Sequence, residues 1–212
     1  MHRTALRVRL ATAACLLCAA LAAAAGADDD PWRLLDAARD RLAERPQVAD
    51  FVQTYVPAGF SSGESEAGTV AFDLPERARW DYADPYPRSF LVSGSTVFAW
   101  SEGDDAGRRL DLASEEARHL DLLRLDTATL SQRYVAELAA SGPDGGREVL
   151  LTPVDPQSEI VEARLLIGED LRLTELSYRD GEGNLTRFEL STLRPLPDAS
   201  VLVAPELEWR EP

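Results

Sequence analysis

From Gly68 to Trp100 the chain reads GTVAFDLPERARWDYADPYPRSFLVSGSTVFAW, and apolar side chains recur there at every second position. Val70, Phe72 and Leu74 form one such run, Ala78, Trp80 and Tyr82 a second, and Phe90 and Val92 a third. A fourth run, Thr96 to Trp100, follows a Ser-Gly-Ser turn. A period of two, rich in aromatic and β-branched residues and broken by Pro and Gly, predicts short antiparallel strands with one covered face. Such a sheet leaves its other face in water. The covered face is expected to be unusually aromatic, carrying Phe72, Trp80, Tyr82, Phe90, Phe98 and Trp100.

The N-terminus speaks to compartment. Arg3, Arg7 and Arg9 precede an apolar run from Leu10 to Ala25, and Ala25-Gly26-Ala27 offers small residues for cleavage. This is the pattern of a secretory signal peptide over residues 1–27, too short and Ala-rich for a good membrane span. An uncleaved anchor is the alternative. Lipidation at Cys18 is disfavoured because Leu17 occupies the place of the small residue that a lipobox needs. Cleavage removes both cysteines, Cys15 and Cys18, so the exported chain is expected to rely on its core and not on disulfides.

One domain is expected over residues 28–212, a length that can bury a reasonable core. All 22 basic residues are Arg, and without the three at the N-terminus 19 face 37 acidic residues, a net charge of −18. That acidity disfavours nucleic acid and anionic membrane surfaces as partners.

Asp28 to Arg45 reads as an amphipathic helix, with Asp30 as cap, Pro31 in the first turn, and Trp32, Leu35, Ala38 and Leu42 on one face. Val48 to Val56 is a strand with Phe51, Gln53 and Tyr55 on one side. After the aromatic stretch, Leu110 to Thr129 turns leucine-rich among acids and Arg. Ser114 to Leu125 is a candidate helix that could lie across the sheet as a flap. Strands resume at 133–139, 147–154, 163–168, 171–178 and 185–193, and the Pro-containing tail from Arg194 should run extended or at an edge. The count is about ten strands in one sheet.

The residue inventory argues against an enzyme. His119 is the one histidine beyond the signal segment, so a site of two histidines on a metal is excluded. With no Lys, and no Cys beyond the signal segment, there is no thiol or Schiff-base nucleophile. Asp73, Glu115, Glu116 and Asp180 read as solvated or turn carboxylates, and neither metal nor organic cofactor is expected. What remains is the aromatic face. A sheet of this width has more concave area than one helix and a flap can fill, and curved antiparallel sheets enclose apolar cavities. A lipid-like ligand is the physical expectation.

Ordered short motifs then suggest a family. Phe51-Val52-Gln53, Gly68-x-x-x-Phe72-x-x-Pro75, Arg79-Trp80-x-Tyr82 with Pro85, and Val92-Ser93-Gly94 before Val97-Phe98 stand in sequence. Leu151-Thr152-Pro153 and Asp180…Gly183-Asn184-x-Thr186 follow. Together they resemble the LolA-type periplasmic lipoprotein carriers. The resemblance implies an α+β, mainly antiparallel fold: an incomplete, half-open β-barrel with an N-terminal helix and a helical lid over an acyl-chain cavity. It implies a monomeric periplasmic carrier for lipoproteins. Its donor would be an inner-membrane ABC-type release complex, and its acceptor an outer-membrane receptor lipoprotein.

On that resemblance the cavity wall is expected at Phe51, Phe72, Leu74, Trp80, Tyr82, Phe90 and Phe98, and the lid plug at Leu120, Leu122, Leu123 and Leu125. Leu74 stands where the family usually carries an Arg that holds the lid shut. Arg77 and Arg79 are the candidates to replace it, or closure rests on apolar contacts alone. That departure keeps open a paralogue that carries another lipid, or a lipoprotein-sensing or receptor module.

Overall fold

The computed structural model describes residues 30–112, 122, 127–139 and 145–211. Helix α1 (Pro31–Ala43) starts where local chemistry says it should: the Asp30 carboxylate accepts the Trp32 backbone N–H at 3.0 Å, and Pro31 occupies the first turn. Leu34, Leu35, Ala38 and Leu42 form its buried stripe, with Trp32 packed partly exposed beside them. Burying each leucine contributes roughly 1.5–3 kcal/mol. The helix end is closed by a side chain from the following strand. Gln47, itself buried, donates through Nε2 to the Leu42 carbonyl at 2.9 Å and the Arg41 carbonyl at 3.2 Å. Two carbonyls that the helix leaves open are thus satisfied as the chain turns into the sheet.

Among the described residues, thirteen strands form one sheet. They are β1 (Gln47–Val56), β2 (Glu64–Asp73), β3 (Arg77–Asp84), β4 (Arg88–Ser93), β5 (Thr96–Ser101), β6 (Ala106–Asp111) and β7 (Tyr134–Leu138). Then come β8 (Arg147–Pro153), β9 (Ile160–Ile167), β10 (Leu173–Asp180), β11 (Leu185–Leu190), β12 (Arg194–Pro195) and β13 (Glu208–Arg210). The order is β13-β6-β5-β4-β3-β2-β1-β11-β10-β9-β8-β7, with β12 beside β1. Neighbours are antiparallel except β13, which runs parallel to β6. The sheet is open, with β13 and β7 at its two edges. This is the expected antiparallel, half-open architecture. The three strands beyond the ten read from the pattern are β6, whose side chains do not alternate cleanly, and the short β12 and β13.

A second helix, α2 (Thr127–Arg133), precedes β7 and buries Leu130. The Thr127 hydroxyl donates to the Asp36 carboxylate of α1, so the two helices are tied over the same face. Residue 122 is a buried leucine in the main core. The rest of the expected flap, including Leu120, Leu123, Leu125 and His119, lies outside the described residues.

Two apolar layers sandwich the sheet. The larger, on the inner face, joins α1, Leu112, Leu122 and Leu130 to strand residues from Ala49 and Phe51 through Phe72 and Trp80 to Leu165, Leu176 and Phe188. The smaller, on the outer face, contains Ala71, Leu91 and Leu202, with Val48, Phe98, Trp100, Leu196 and Ala204 packed against them.

Candidate acyl-binding face

Strand register decides which side chains share a face. Phe72 pairs with Ala78, Ala78 with Val92, and Val92 with Val97. Val70, Trp80, Phe90 and Ala99 make the next row. Phe51, Gly68, Tyr82 and Arg88 make the third. These rows belong to the inner face, so Phe51, Phe72, Trp80 and Tyr82 are brought together and buried, Leu74 lies with them, and Phe90 is half-buried at their edge.

The rings touch in a belt. Phe188 and Phe51 have centroids 6.2 Å apart, Phe51 and Tyr82 4.9 Å, and Tyr82 and Phe90 5.9 Å, while Phe72 meets Trp80 at 6.3 Å. The near-perpendicular packing of most of these pairs is the favoured aromatic geometry. Phe188 belongs to this belt although the sequence offered no sign of it, because its strand is brought beside β1 only by the fold. It pairs with Gln53 across β1 and β11.

Phe98 is not on this wall. It pairs with Leu91, one residue out of phase with the inner row, and lies on the outer face. Trp100 shares that side. The phase of β5 is set by the tight turn that pairs Ser93 with Thr96, which turns Val97 and Ala99 inward. Arg77 and Arg79 are also on the outer face, because on β3 they alternate with the inward Ala78 and Trp80. Arg77 pairs with Asp73 and donates Nη1 to the Leu202 carbonyl at 3.4 Å. Arg79 donates to the Val201 carbonyl at 2.5 Å and to Asp81 at 2.8 Å, and its guanidinium lies 5.0 Å from the Trp100 centroid. Both arginines therefore clamp the 3-10 turn Ala199–Leu202 to the back of the sheet, away from the covering helices.

The inner face changes character at one end. The Tyr82 hydroxyl donates to Gln53 Oε1. Arg88 lies over the Tyr82 ring at 4.0 Å and forks onto Glu66, Nη1 to Oε1 at 2.6 Å and Nη2 to Oε2 at 2.7 Å. The fork holds the Glu66 carboxyl below its ordinary range, against the opposing effect of burial. Burial pushes the Tyr82 phenol up, with the Arg88 charge opposing. Among the described residues no three His, Cys, Asp or Glu side chains gather as a metal site, and no helix is long and apolar enough to cross a membrane.

A sequence model of the family described as outer membrane lipoprotein carrier protein LolA matches residues 46–200. The chain belongs to the LolA family. It is 28% identical over 142 residues to an outer-membrane lipoprotein carrier protein of Xanthomonas campestris pv. campestris, covering 66% of this chain and 68% of that one. Among solved structures, an uncharacterized conserved protein from Thermus thermophilus aligns with a TM-score of 0.55 at 11% identity, covering 85% of this chain and 98% of that one. The complex of Pseudomonas aeruginosa MucA and MucB aligns at 0.50 and 15%, covering 83% and 61%. These two likenesses speak to the fold alone.

Proposed function

We propose that this LolA-family protein is an exported, periplasmic carrier that holds the acyl chains of lipoproteins against its inner face. In this reading it takes them from an inner-membrane ABC-type release complex and gives them to an outer-membrane receptor lipoprotein. The observation that supports it is the aromatic belt beneath a cover made of the chain's own apolar residues, Leu34 and Leu35 of α1, Leu130 of α2, and Leu122. That surface suits hydrocarbon, and its cover is attached by helices and not by strands.

The energetics suit transfer. Each buried methylene contributes about 0.8 kcal/mol, so a long acyl chain supplies on the order of 10 kcal/mol gross. A guest must first displace the leucine cover, and this cost offsets much of the gain. The modest remainder lets an acceptor compete. In this scheme Phe51, Phe72, Leu74, Trp80, Tyr82 and Phe90 form the wall, and Leu122, with Leu120, Leu123 and Leu125, plugs it. The test is binding of a fluorescent fatty-acyl probe, followed by competition with a triacylated lipopeptide. Displacement by the lipopeptide supports the carrier reading, and failure to displace rejects lipoprotein as cargo.

A second reading, a paralogue for another lipid or a lipoprotein-sensing or receptor module, draws support from one observation. Leu74 is apolar and buried, and Arg77 and Arg79, the two arginines that follow Pro75 in the chain, are turned to the outer face, away from the cover. Displacement of the probe by plain phospholipid, but not by lipopeptide, would favour it.

A further inference from the structure

Arg88 is a charged side chain at the margin of an apolar face, held there by Glu66 and the Tyr82 ring. Its row, Phe51-Gly68-Tyr82-Arg88, is the boundary of the inner face. Towards Phe72 the next rows are apolar, holding Val70, Trp80 and Phe90, then Phe72, Ala78 and Val92. In the other direction Gln53 pairs with Glu66 and Tyr55 with Glu64. The polarity of the surface thus inverts over about two residues of strand, roughly 7 Å. An amphiphile has the same profile.

We propose that Arg88 donates hydrogen bonds to the ester or amide carbonyl oxygens that join acyl chains to the head of a cargo molecule. The guest then lies with its tails toward Trp80 and Phe72 and its polar linkage at the Arg88–Glu66 end. This rests on the acyl-carrier reading and gives it a direction and a contact.

Three features carry it. The first is a donor count. A guanidinium has five N–H groups; Nη1 serves Glu66 and the Tyr86 carbonyl, and one Nη2 proton serves Glu66. Among the described residues, Nε and the second Nη2 proton have no acceptor. The second is pre-organisation. Stacking on Tyr82 at 4.0 Å, the bidentate fork and a position 5.8 Å from the Phe90 ring fix the guanidinium plane before any guest arrives. It remains accessible, with 28% of the Arg88 side chain exposed. The third is charge. Glu66 neutralises Arg88, so the site as a whole suits a neutral acceptor such as a carbonyl. A phosphate or carboxylate would meet the Glu66 charge and a strongly acidic chain.

The experiment compares three pyrene-labelled probes of equal chain length: a methyl ester, a free carboxylate and an oxygen-free hydrocarbon. Wild-type protein is expected to prefer the ester. Arg88→Met, which keeps the apolar stem, should weaken the ester about fivefold, the worth of one net hydrogen bond, and leave the hydrocarbon unchanged. Equal losses for both, or none, assign Arg88 a purely structural role and overturn the proposal. Should Arg88→Met lose its fold, Glu66→Gln decides. Freeing Arg88 of its partner should move preference from ester toward carboxylate, and an unchanged ratio overturns the proposal. Wild-type binding of all three probes with no ester preference defeats this inference alone, whereas binding of none defeats the carrier reading and this inference with it.

Discussion

Phe51 and Tyr82 meet edge to face with ring centroids 4.9 Å apart, although a whole strand runs between them. The residue at that crossing on β2 is Gly68, in register with both. A Cβ there would stand 2.0 Å from the Asp81 carbonyl oxygen and 2.9 Å from the Tyr82 Cα. Both obstacles are backbone, next to the register shift between Ala67 and Gly68, and no rotamer change relieves them. Gly68→Ala is therefore expected to separate β2 from β3 and cost about 1–3 kcal/mol or more. Chemical denaturation measures the loss. The near-UV circular dichroism of the belt should weaken with it, and an unaltered spectrum and midpoint would contradict this packing.

The back of the sheet yields a contrasting expectation. Trp209 of β13 packs against Phe98 at 4.8 Å and Trp100 at 6.1 Å, directly over Gly107, where a Cβ would stand 2.3 Å from the indole. Arg77 and Arg79 bind the 3-10 turn just before it. The double substitution Arg77→Ala/Arg79→Ala should free the C-terminal segment, raise its cleavage by limited proteolysis, and cost about 1–3 kcal/mol. Acyl-probe uptake should not change. Lost uptake with an intact C-terminal segment would return these arginines to the role of closing the lid.

Period-two patterning made the inner rows from Val70 to Val92 readable in the sequence, because each has a large apolar residue facing a polar neighbour. It failed at β5, where both sides of the strand are apolar and the larger residues, Phe98 and Trp100, point away from the helices. Only the turn pairing Ser93 with Thr96 sets the phase there. That slip also hid the outer layer, whose apolar residues come from distant parts of the chain, Ala71, Leu91 and Leu202. Arg88 and Glu66 were equally hidden. They are 22 residues apart in the chain, and only the three-stranded path through β2, β3 and β4 brings them together. Helix α1 was legible almost to its ends because its cap, Asp30-Pro31, and its stop, Arg45-Pro46, are local signals.

The Arg88–Glu66 fork makes stability depend on acid. Glu66 titrates below its ordinary 4.5 in the folded protein because Arg88 hydrogen-bonds its charged form. Its contribution is thus complete above the unfolded value and is lost as pH falls through the folded one. Partial exposure limits it to about 1 kcal/mol or less. Melting temperatures of wild type and Glu66→Gln should differ at neutral pH and converge as the pH falls below the ordinary glutamate range. A difference that persists unchanged into strong acid would place the effect elsewhere.

Leu122 separates a cover from an ordinary core. It is 1% exposed and packs in the same cluster as Phe51 and Phe72. Truncating a leucine so buried leaves a cavity, and Leu122→Ala should cost the empty protein about 2–5 kcal/mol. If the side chain is a plug that a guest displaces, the same change lowers the cost of opening, so acyl-probe affinity should rise while stability falls. An ordinary core residue predicts the two falling together. Guanidinium titration of the empty protein and probe binding on the same sample read both quantities. A joint decrease would show that Leu122 is fixed core and that any guest must enter without moving it.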